Sequence, residues 1–223
     1  MAVTASLGAR WRRSGGNGFI IMFAIRSTFM GEPLIKLSLQ QFLEWENLQP
    51  ERHEFHRGEV FAMVGARRVH GRIGLNIAVS LAKQLAGTKC QVFGDSMKIR
   101  IAADTILYPD VFVTCDPDDL RTEQIFTAPS LVVEVLSPST QSYDRGSKFT
   151  LYRSLTSLRE YLLVDPDTRE VQLFRRGADA LFTLHDLTGR ELIGLESVAC
   201  ELLASEVFDS VEPMSGQQAS LPV

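Results

Sequence analysis

Residues 131–140 have the sequence Leu-Val-Val-Glu-Val-Leu-Ser-Pro-Ser-Thr, and the first six have the composition of a buried β-strand with one carboxylate, Glu134, inside it. An unpaired carboxylate in a protein interior costs several kcal/mol, so Glu134 is expected to be protonated, paired or bound to a cation. Side chains alternate along a strand, and both faces of this one are otherwise apolar. We therefore expect helices to cover both faces of the sheet.

Two further charged residues flank this strand in the sequence. Asp110 follows Pro109 and begins a second run rich in valine, and Lys148 lies within a predicted helix over residues 144–155. On that helix Lys148 shares an apolar stripe with Leu151, Tyr152 and Leu155, and the stripe should face the sheet. Asp110, Glu134 and Lys148 would then converge at one end of the sheet. Such a group holds a metal ion and an attacking water in a nuclease, whereas a structural Lys148–Glu134 salt bridge is the alternative.

The rest of the chain predicts an α/β domain with a mixed sheet. One helix should begin at Ser38, which forms a capping box with Gln41, and a second should cover residues 72–86 and end before Gly87. Residues 171–174 and 181–184 alternate like the two strands of a β-hairpin. The remaining strands are expected in four segments: 59–64, 91–101, 110–114 and 160–164.

Charge and cysteine usage limit the classes of function. The first thirty residues carry four arginines and no acid, and subtracting these charges from the formal net charge of −4 leaves −8 for the rest. That balance argues against sequence-independent coating of DNA, but not against a local site where a metal and a few cations meet phosphate. Cys90, Cys115 and Cys200 lack metal-binding spacing, and we expect them to be reduced core thiols in a cytoplasmic protein.

The two ends of the chain are expected to lie outside the domain. Residues 1–33 are interpreted as a disordered extension or a mis-assigned start, with Met22 or Met30 as the biological first residue, and residues 213–223 as a flexible tail. The apolar run 19–25 is too short to cross a bilayer, so no membrane association is expected. The domain itself is predicted over residues 34–212.

Five motifs occur in an order that resembles a known family. They are Glu54-Phe55-(two residues)-Gly58-Glu59-Val60, Tyr108-Pro109-Asp110-Val111, Val133-Glu134-Val135-Leu136-Ser137-Pro138-Ser139-Thr140, Tyr143-Asp144-Arg145-Gly146-Ser147-Lys148 and Arg159-Glu160-Tyr161-Leu162-Leu163-Val164-Asp165. The series is similar to the Uma2 family, also called DUF820, of restriction-endonuclease-like proteins in the PD-(D/E)XK superfold. The resemblance covers roughly residues 36–210. It implies a restriction-endonuclease-like mixed sheet flanked by helices, with the hairpin as an extension.

The resemblance also implies roles for individual residues. Asp110 and Glu134 would be Mg²⁺ ligands, with Mn²⁺ as a possible substitute, and Val135 would add its backbone carbonyl. The lysine expected two residues after the acid is replaced by Leu136, so Lys148 would have to serve in its place. Three further assignments have simpler alternatives as exposed or structural residues: Glu59 as another metal ligand, and His70 and Arg145 as substrate contacts.

The function expected from this resemblance is metal-dependent hydrolysis of DNA by a homodimer. No nucleotide-binding loop is present in the sequence, so no nucleotide cofactor is expected. Two alternatives remain open at this stage. One is a nuclease-like domain that binds nucleic acid or a protein partner without cutting, and the other is a metal-dependent hydrolase of a different phosphoester.

Overall fold

The structure, a computed structural model, describes residues 33–63 and 67–212. The predicted N-terminal extension, apart from Pro33, and the predicted tail lie outside the described residues. The strands in chain order are β1 (His53–His56), β2 (Glu59–Ala62), β3 (Gln91–Gly94), β4 (Lys98–Ala102), β5 (Thr105–Leu107), β6 (Val111–Thr114), β7 (Ile125–Phe126), β8 (Pro129–Val135), β9 (Glu160–Val164), β10 (Val171–Arg176), β11 (Phe182–Asp186), β12 (Leu192–Leu195) and β13 (Cys200–Leu203). The α-helices are α1 (Leu39–Glu46), α2 (Arg68–Gln84), α3 (Gln141–Tyr143), α4 (Phe149–Tyr152) and α5 (Ala204–Val207).

The strands form a mixed main sheet and two smaller sheets. The main sheet has the order β11-β10-β9-β8-β6-β3, in which only β8 and β9 are parallel neighbours. The predicted hairpin, β10–β11, extends this sheet beyond β9. A second sheet of order β2-β1-β5-β4-β7 and the β12–β13 pair complete the set. The mixed α/β class is therefore confirmed, whereas the sequence had not indicated a separate second sheet.

The main sheet separates two apolar clusters. Val133 and Val135 of β8 face the cluster formed with α2, α5 and the β12–β13 pair. Val132 and Leu136 face a more aromatic cluster that includes residues of α4 and of β4, β5 and β7. The alternation expected around Glu134 is present, so its side chain leaves β8 on the aromatic side. Strands as well as helices cover both faces, which differs from the expected layers of helices alone.

The predicted helix over residues 144–155 is a helical segment with an internal irregularity. α3 and α4 are joined by a π-helical turn over Asp144–Lys148. A π turn contains more residues than an α-helical turn and is frequent at functional sites. Lys148 is buried at its end, as the apolar stripe predicted.

The start of α2 differs from the sequence-based expectation, whereas its stop signal and the cap of α1 agree with it. α2 begins at Arg68, four residues before the expected start, and it ends before Gly87, whose φ of +78° matches the predicted left-handed stop. The capping box of Ser38 and Gln41 is present at the start of α1. No helix within the described ranges is long and apolar enough to span a membrane.

The expectation of three reduced cysteines is wrong for this structure. Cys90 and Cys115 form a disulfide with a Cα–Cα distance of 4.1 Å, and Cys200 is free and buried. The two bonded cysteines adjoin β3 and β6, which are antiparallel neighbours with Gln91 opposite Thr114. Strand pairing brings them together although 25 residues separate them in the sequence, and sequence spacing gives no signal of that pairing.

Candidate active site

Asp110 is held at the end of β8 by the pairing of two strands. Val111 pairs with Val133 in the antiparallel β6–β8 ladder, so the same register brings the preceding residue, Asp110, to the level of Glu134 and within reach of Val135. The Val135 amide donates a hydrogen bond of 2.6 Å to Asp110 Oδ2, and His70 Nε2 lies 3.3 Å from the same oxygen. Asp110 is therefore fixed by a main-chain donor and by a side chain from α2.

Lys148 connects the acidic residues of the site. Its Nζ lies 2.9 Å from Glu134 Oε1, 3.1 Å from Glu54 Oε1 and 3.9 Å from Asp144 Oδ1. The same nitrogen donates a hydrogen bond of 3.3 Å to the carbonyl oxygen of Tyr108, two residues before Asp110. The structure thus places Asp110, Glu134 and Lys148 around one point, as their spacing and the resemblance predicted.

Glu54 is a member of this group that the sequence did not emphasise. It lies in β1, is 5 % exposed and accepts a hydrogen bond of 3.2 Å from the Tyr143 hydroxyl at Oε2. Its strand has the sequence His-Glu-Phe-His, which has no apolar alternation. Only the family-like Glu54-Phe55 motif pointed to this residue, and Glu59 was the residue predicted as a further metal ligand.

Burial and mutual repulsion shift the pKa values of the acidic residues. Burial raises the pKa of Glu134 well above its ordinary value; Lys148 partly opposes the shift, and Asp110 and Asp144 add to it. Burial likewise raises the pKa of Asp144 to about 6. Burial alone would lower the pKa of Lys148, but Glu134 and Glu54 outweigh it and raise that pKa. The group therefore has one lysine ammonium for four carboxyl groups, and burial disfavours the ionised forms of Glu134 and Asp144.

This donor set fits a hard divalent cation. Carboxylate and carbonyl oxygens are the ligands that Mg²⁺ prefers, usually one or two carboxylates together with waters. Glu54 Oε1 and Glu134 Oε1 are buried and lack a hydrogen bond of good geometry within the described chain, so their contacts with Lys148 are charge–charge contacts. No cluster of three His, Cys, Asp or Glu residues arranged as metal ligands occurs in residues 33–63 and 67–212. An ion bound here would have to be held by one or two of these carboxylates together with waters.

A cavity of about 680 Å³ opens onto these residues. Its lining includes Asp110, Glu134, Val135, Lys148 and His70, so five of the predicted site residues meet at one surface. The lining also includes Glu54, Tyr143 and Asp144, together with Arg52 and Arg67. The site is thus a recess lined by charged side chains that are themselves largely buried.

The structure does not bring two of the predicted residues to this cavity. Glu59 forms an ion pair of 3.2 Å with Lys36, and its side chain is 36 % exposed. Arg145 pairs with Glu170 at 3.0 Å and also contacts Gln172, which fixes it against β10. Neither residue lines the cavity, and each is paired with a residue outside it.

Comparisons with known proteins identify the family of the chain. Residues 39–204 match the model of the Uma2 family, described as "Putative restriction endonuclease". Two proteins of Synechocystis sp. are similar: slr1290 is 36 % identical over 177 residues, 79 % of this chain and 93 % of that protein, and sll1609 is 31 % identical over 156 residues, 69 % of this chain and 88 % of that protein. Both are described as uncharacterized.

A solved structure shares the fold. The crystal structure of a putative nuclease belonging to DUF820 from Anabaena variabilis superposes with a TM-score of 0.63 and 20 % sequence identity, covering 79 % of this chain and 99 % of that one. At this identity the likeness concerns the fold. The family match spans most of the chain and includes the motifs that carry Asp110, Glu134 and Lys148. The chain belongs to the Uma2 family.

Proposed function

We propose that this protein is a Mg²⁺-dependent endonuclease that hydrolyses phosphodiester bonds of DNA in the cavity formed by β1, β6, β8 and the π turn. The observation that carries the proposal is the position of Lys148. Its ammonium lies within 3.1 Å of both Glu54 and Glu134, although it comes from the helical segment and not from the position two residues after Glu134. Leu136 occupies the position at which the superfold pattern has a lysine. The π turn thus supplies the lysine ammonium that is missing at that position.

Asp110 and Glu134 are the residues that would hold Mg²⁺, with the Val135 carbonyl as a further oxygen. When bound, the ion supplies Lewis-acid chemistry: it polarises a phosphate oxygen and lowers the pKa of a water. Lys148 then orients the attacking water and stabilises negative charge that develops on the phosphate. The chain and the ion would thus each supply one source of positive charge at the reacting phosphate.

Four neighbouring residues hold these groups in place. Glu54 and the Tyr108 carbonyl fix the Lys148 ammonium, and Tyr143 in turn fixes Glu54. His70 contacts Asp110 from α2. Because catalysis depends on placement to within about 1 Å, these contacts support a site whose geometry exists before substrate binds.

The direct test is incubation of supercoiled plasmid with the protein in Mg²⁺, in Mn²⁺ and in EDTA, without added nucleotide. Nicking or linearisation is expected with either metal and not in EDTA. Glu134→Gln should abolish it, and the variant should stay folded because burial already disfavours the ionised form of Glu134. Glu59→Gln is the matched control, since it neutralises a carboxylate outside the cavity. Cutting that survives Glu134→Gln in folded protein would contradict the assignment, with Asp110→Asn as the second variant.

A second candidate is a nuclease-like domain that binds nucleic acid or a protein partner without cutting. The observation in its favour is that Lys148 already neutralises part of the acidic group without any metal. Retained DNA binding with no turnover in any divalent metal would support it. Turnover of nucleotides with DNA left intact would instead indicate a hydrolase of another phosphoester.

The proposed enzyme acts as a homodimer, because cutting both strands of a duplex takes two sites and two-fold assembly is common. Light scattering of the purified protein tests this point. A mass of about one chain at all concentrations would remove it and leave the chemistry of the site unaffected.

A further inference from the structure

We infer that Arg52 and Arg67 bind backbone phosphates of DNA on either side of the bond held at Asp110 and Glu134. Both arginines line the cavity, and neither contributes to the acidic group around Lys148. The inference rests on the proposed function for its choice of ligand, and it concerns substrate binding and not the bond cleavage itself.

The acidic lining of the cavity makes basic residues necessary for DNA binding there. Six of its lining residues are acidic, namely Glu51, Glu54, Asp95, Asp110, Glu134 and Asp144. A polyanionic strand is repelled by this surface except where cations meet its phosphates. Lys148 is 5 % exposed and contacts the acids, so it serves the reacting phosphate and not its neighbours. Arg52 and Arg67 are the arginines that line this cavity within the described part of the chain.

The two arginines lie near the acidic group on different elements, one beside Tyr108 and the other before His70. The Arg52 guanidinium lies 5.7 Å from the ring centroid of Tyr108, and the Tyr108 carbonyl accepts a hydrogen bond from Lys148. Arg67 lies one helical turn before His70, which contacts Asp110. Each arginine therefore lies near a residue that touches the acidic group, Arg52 by packing on Tyr108 and Arg67 by its position in the chain before His70.

Both guanidinium groups have a neighbour that orients them. Arg52 lies over the face of an aromatic ring, a contact that Arg favours. The Arg67 Nη2 donates a hydrogen bond of 2.7 Å to Asp167, from the turn between β9 and β10. A guanidinium carries five N–H donors in a planar fork, which matches the oxygens of a phosphate. An oriented arginine loses less side-chain entropy when it binds, so these two are suited to phosphate recognition.

The sequence of the first turn of α2 supports the same conclusion. Arg67 is the N-cap residue, Arg68 begins the first turn and Arg72 follows it, and the first turn contains no acid. Positive charge near a helix N-terminus is unfavourable because the helix dipole already places positive charge there. The Asp167 carboxylate offsets part of this cost at Arg67, and a bound anion would offset more of it. Only Arg67 of the three lines the cavity, so Arg68 provides a neighbouring arginine in the same unfavourable environment but away from the site.

The test measures binding of fluorescent DNA duplexes and single strands by anisotropy at several salt concentrations, in Ca²⁺, with a gel to verify that the DNA stays intact. Each phosphate contact contributes about 0.9 to the slope of log K against log salt for duplex and about 0.7 for a single strand. Arg52→Ala and Arg67→Ala are each expected to lower the slope by about one contact and to weaken binding about fivefold near 0.15 M salt. Arg68→Ala should leave both quantities unchanged.

Two further measurements distinguish a direct contact between Arg67 and DNA from an effect of the substitutions on folding. Asp167→Ala removes the ion pair of Arg67 and keeps its charge, so binding should stay within about twofold of the parent if Arg67 acts on DNA. The denaturant midpoint of each variant shows that it is folded. No DNA binding by the parent, an Arg68→Ala effect equal to that of Arg67→Ala, or unchanged slopes in both cavity variants would each overturn the inference.

The DNA-binding test and the plasmid-cutting test can fail independently of each other. Plasmid cutting with unchanged slopes would refute the role of the arginines alone. The expected binding pattern without any cutting would retain the phosphate contacts and refute the hydrolytic activity.

Discussion

Replacing Lys148 by methionine tests the electrostatic structure of the site most directly. Methionine keeps much of the length of the side chain but removes the charge. Nζ has contacts of 2.9 and 3.1 Å with Glu134 and Glu54, and all three residues are at most 5 % exposed. Removing one partner of a buried ion pair leaves an uncompensated charge and typically costs about 3–5 kcal/mol. For a domain of this size, that loss lowers the melting temperature by roughly 6–20 °C.

The pH dependence of this loss has a definite sign. A carboxyl group whose pKa is raised on folding stabilises the folded state at low pH, and that stability is lost as pH rises through the folded pKa. Burial raises the pKa of Glu134 well above its ordinary value and that of Asp144 to about 6, even with Lys148 present. Without the ammonium both values rise further. The difference between parent and Lys148→Met should therefore be largest above about pH 7 and shrink toward about pH 5.

Urea unfolding followed by circular dichroism in EDTA measures these free energies. Lys89→Met is the matched control, because Lys89 is exposed and lies outside the cavity. If the site binds Mg²⁺, the ion should stabilise Lys148→Met more than the parent, since the variant has a larger deficit of positive charge. Two results would contradict a stabilising ion pair at Lys148. One is that Lys148→Met unfolds at the same urea concentration as Lys89→Met, and the other is that its loss of stability is the same at about pH 7 and about pH 5.

Three other outcomes are expected. Glu54→Gln should lower plasmid cleavage at least tenfold, because it removes a 3.1 Å partner of the Lys148 ammonium, while Glu59→Gln leaves the rate unchanged; equal rates in quantitative gels would contradict the placement of Glu54. Asp144→Asn should flatten the rise in stability between about pH 7 and pH 4 in EDTA, because the pKa of Asp144 is about 6 and its protonation drives part of that rise; an unchanged profile by thermal denaturation would exclude this source. Reducing the Cys90–Cys115 bond, which spans 25 residues, should cost about 3 kcal/mol; thiol titration of denatured, unreduced protein should find the single Cys200 thiol, and three thiols would show that the bond is absent.

The sequence predicted the parts of this protein whose signal is local. The valine-rich strand around Glu134 forms the centre of the main sheet, because burial on both faces requires an apolar run and tolerates one charge only if it is compensated. The capping box at Ser38 and the stop at Gly87 also correspond to observed helix ends. The apolar stripe on the helix correctly predicted that Lys148 is directed to the sheet, because helical periodicity determines which residues share a face.

The tertiary structure decided which distant residues meet. Glu54 comes from a four-residue strand without apolar alternation, so no local pattern marked it as buried, and only strand pairing in the second sheet brings it to Lys148. Glu59 lies at the start of the next strand and pairs with Lys36 instead. Cys90 and Cys115 are likewise joined by the pairing of β3 with β6. Sequence determines the periodicity and burial of each segment, whereas contacts between segments depend on chain packing, and the composition of the acidic group follows from that packing.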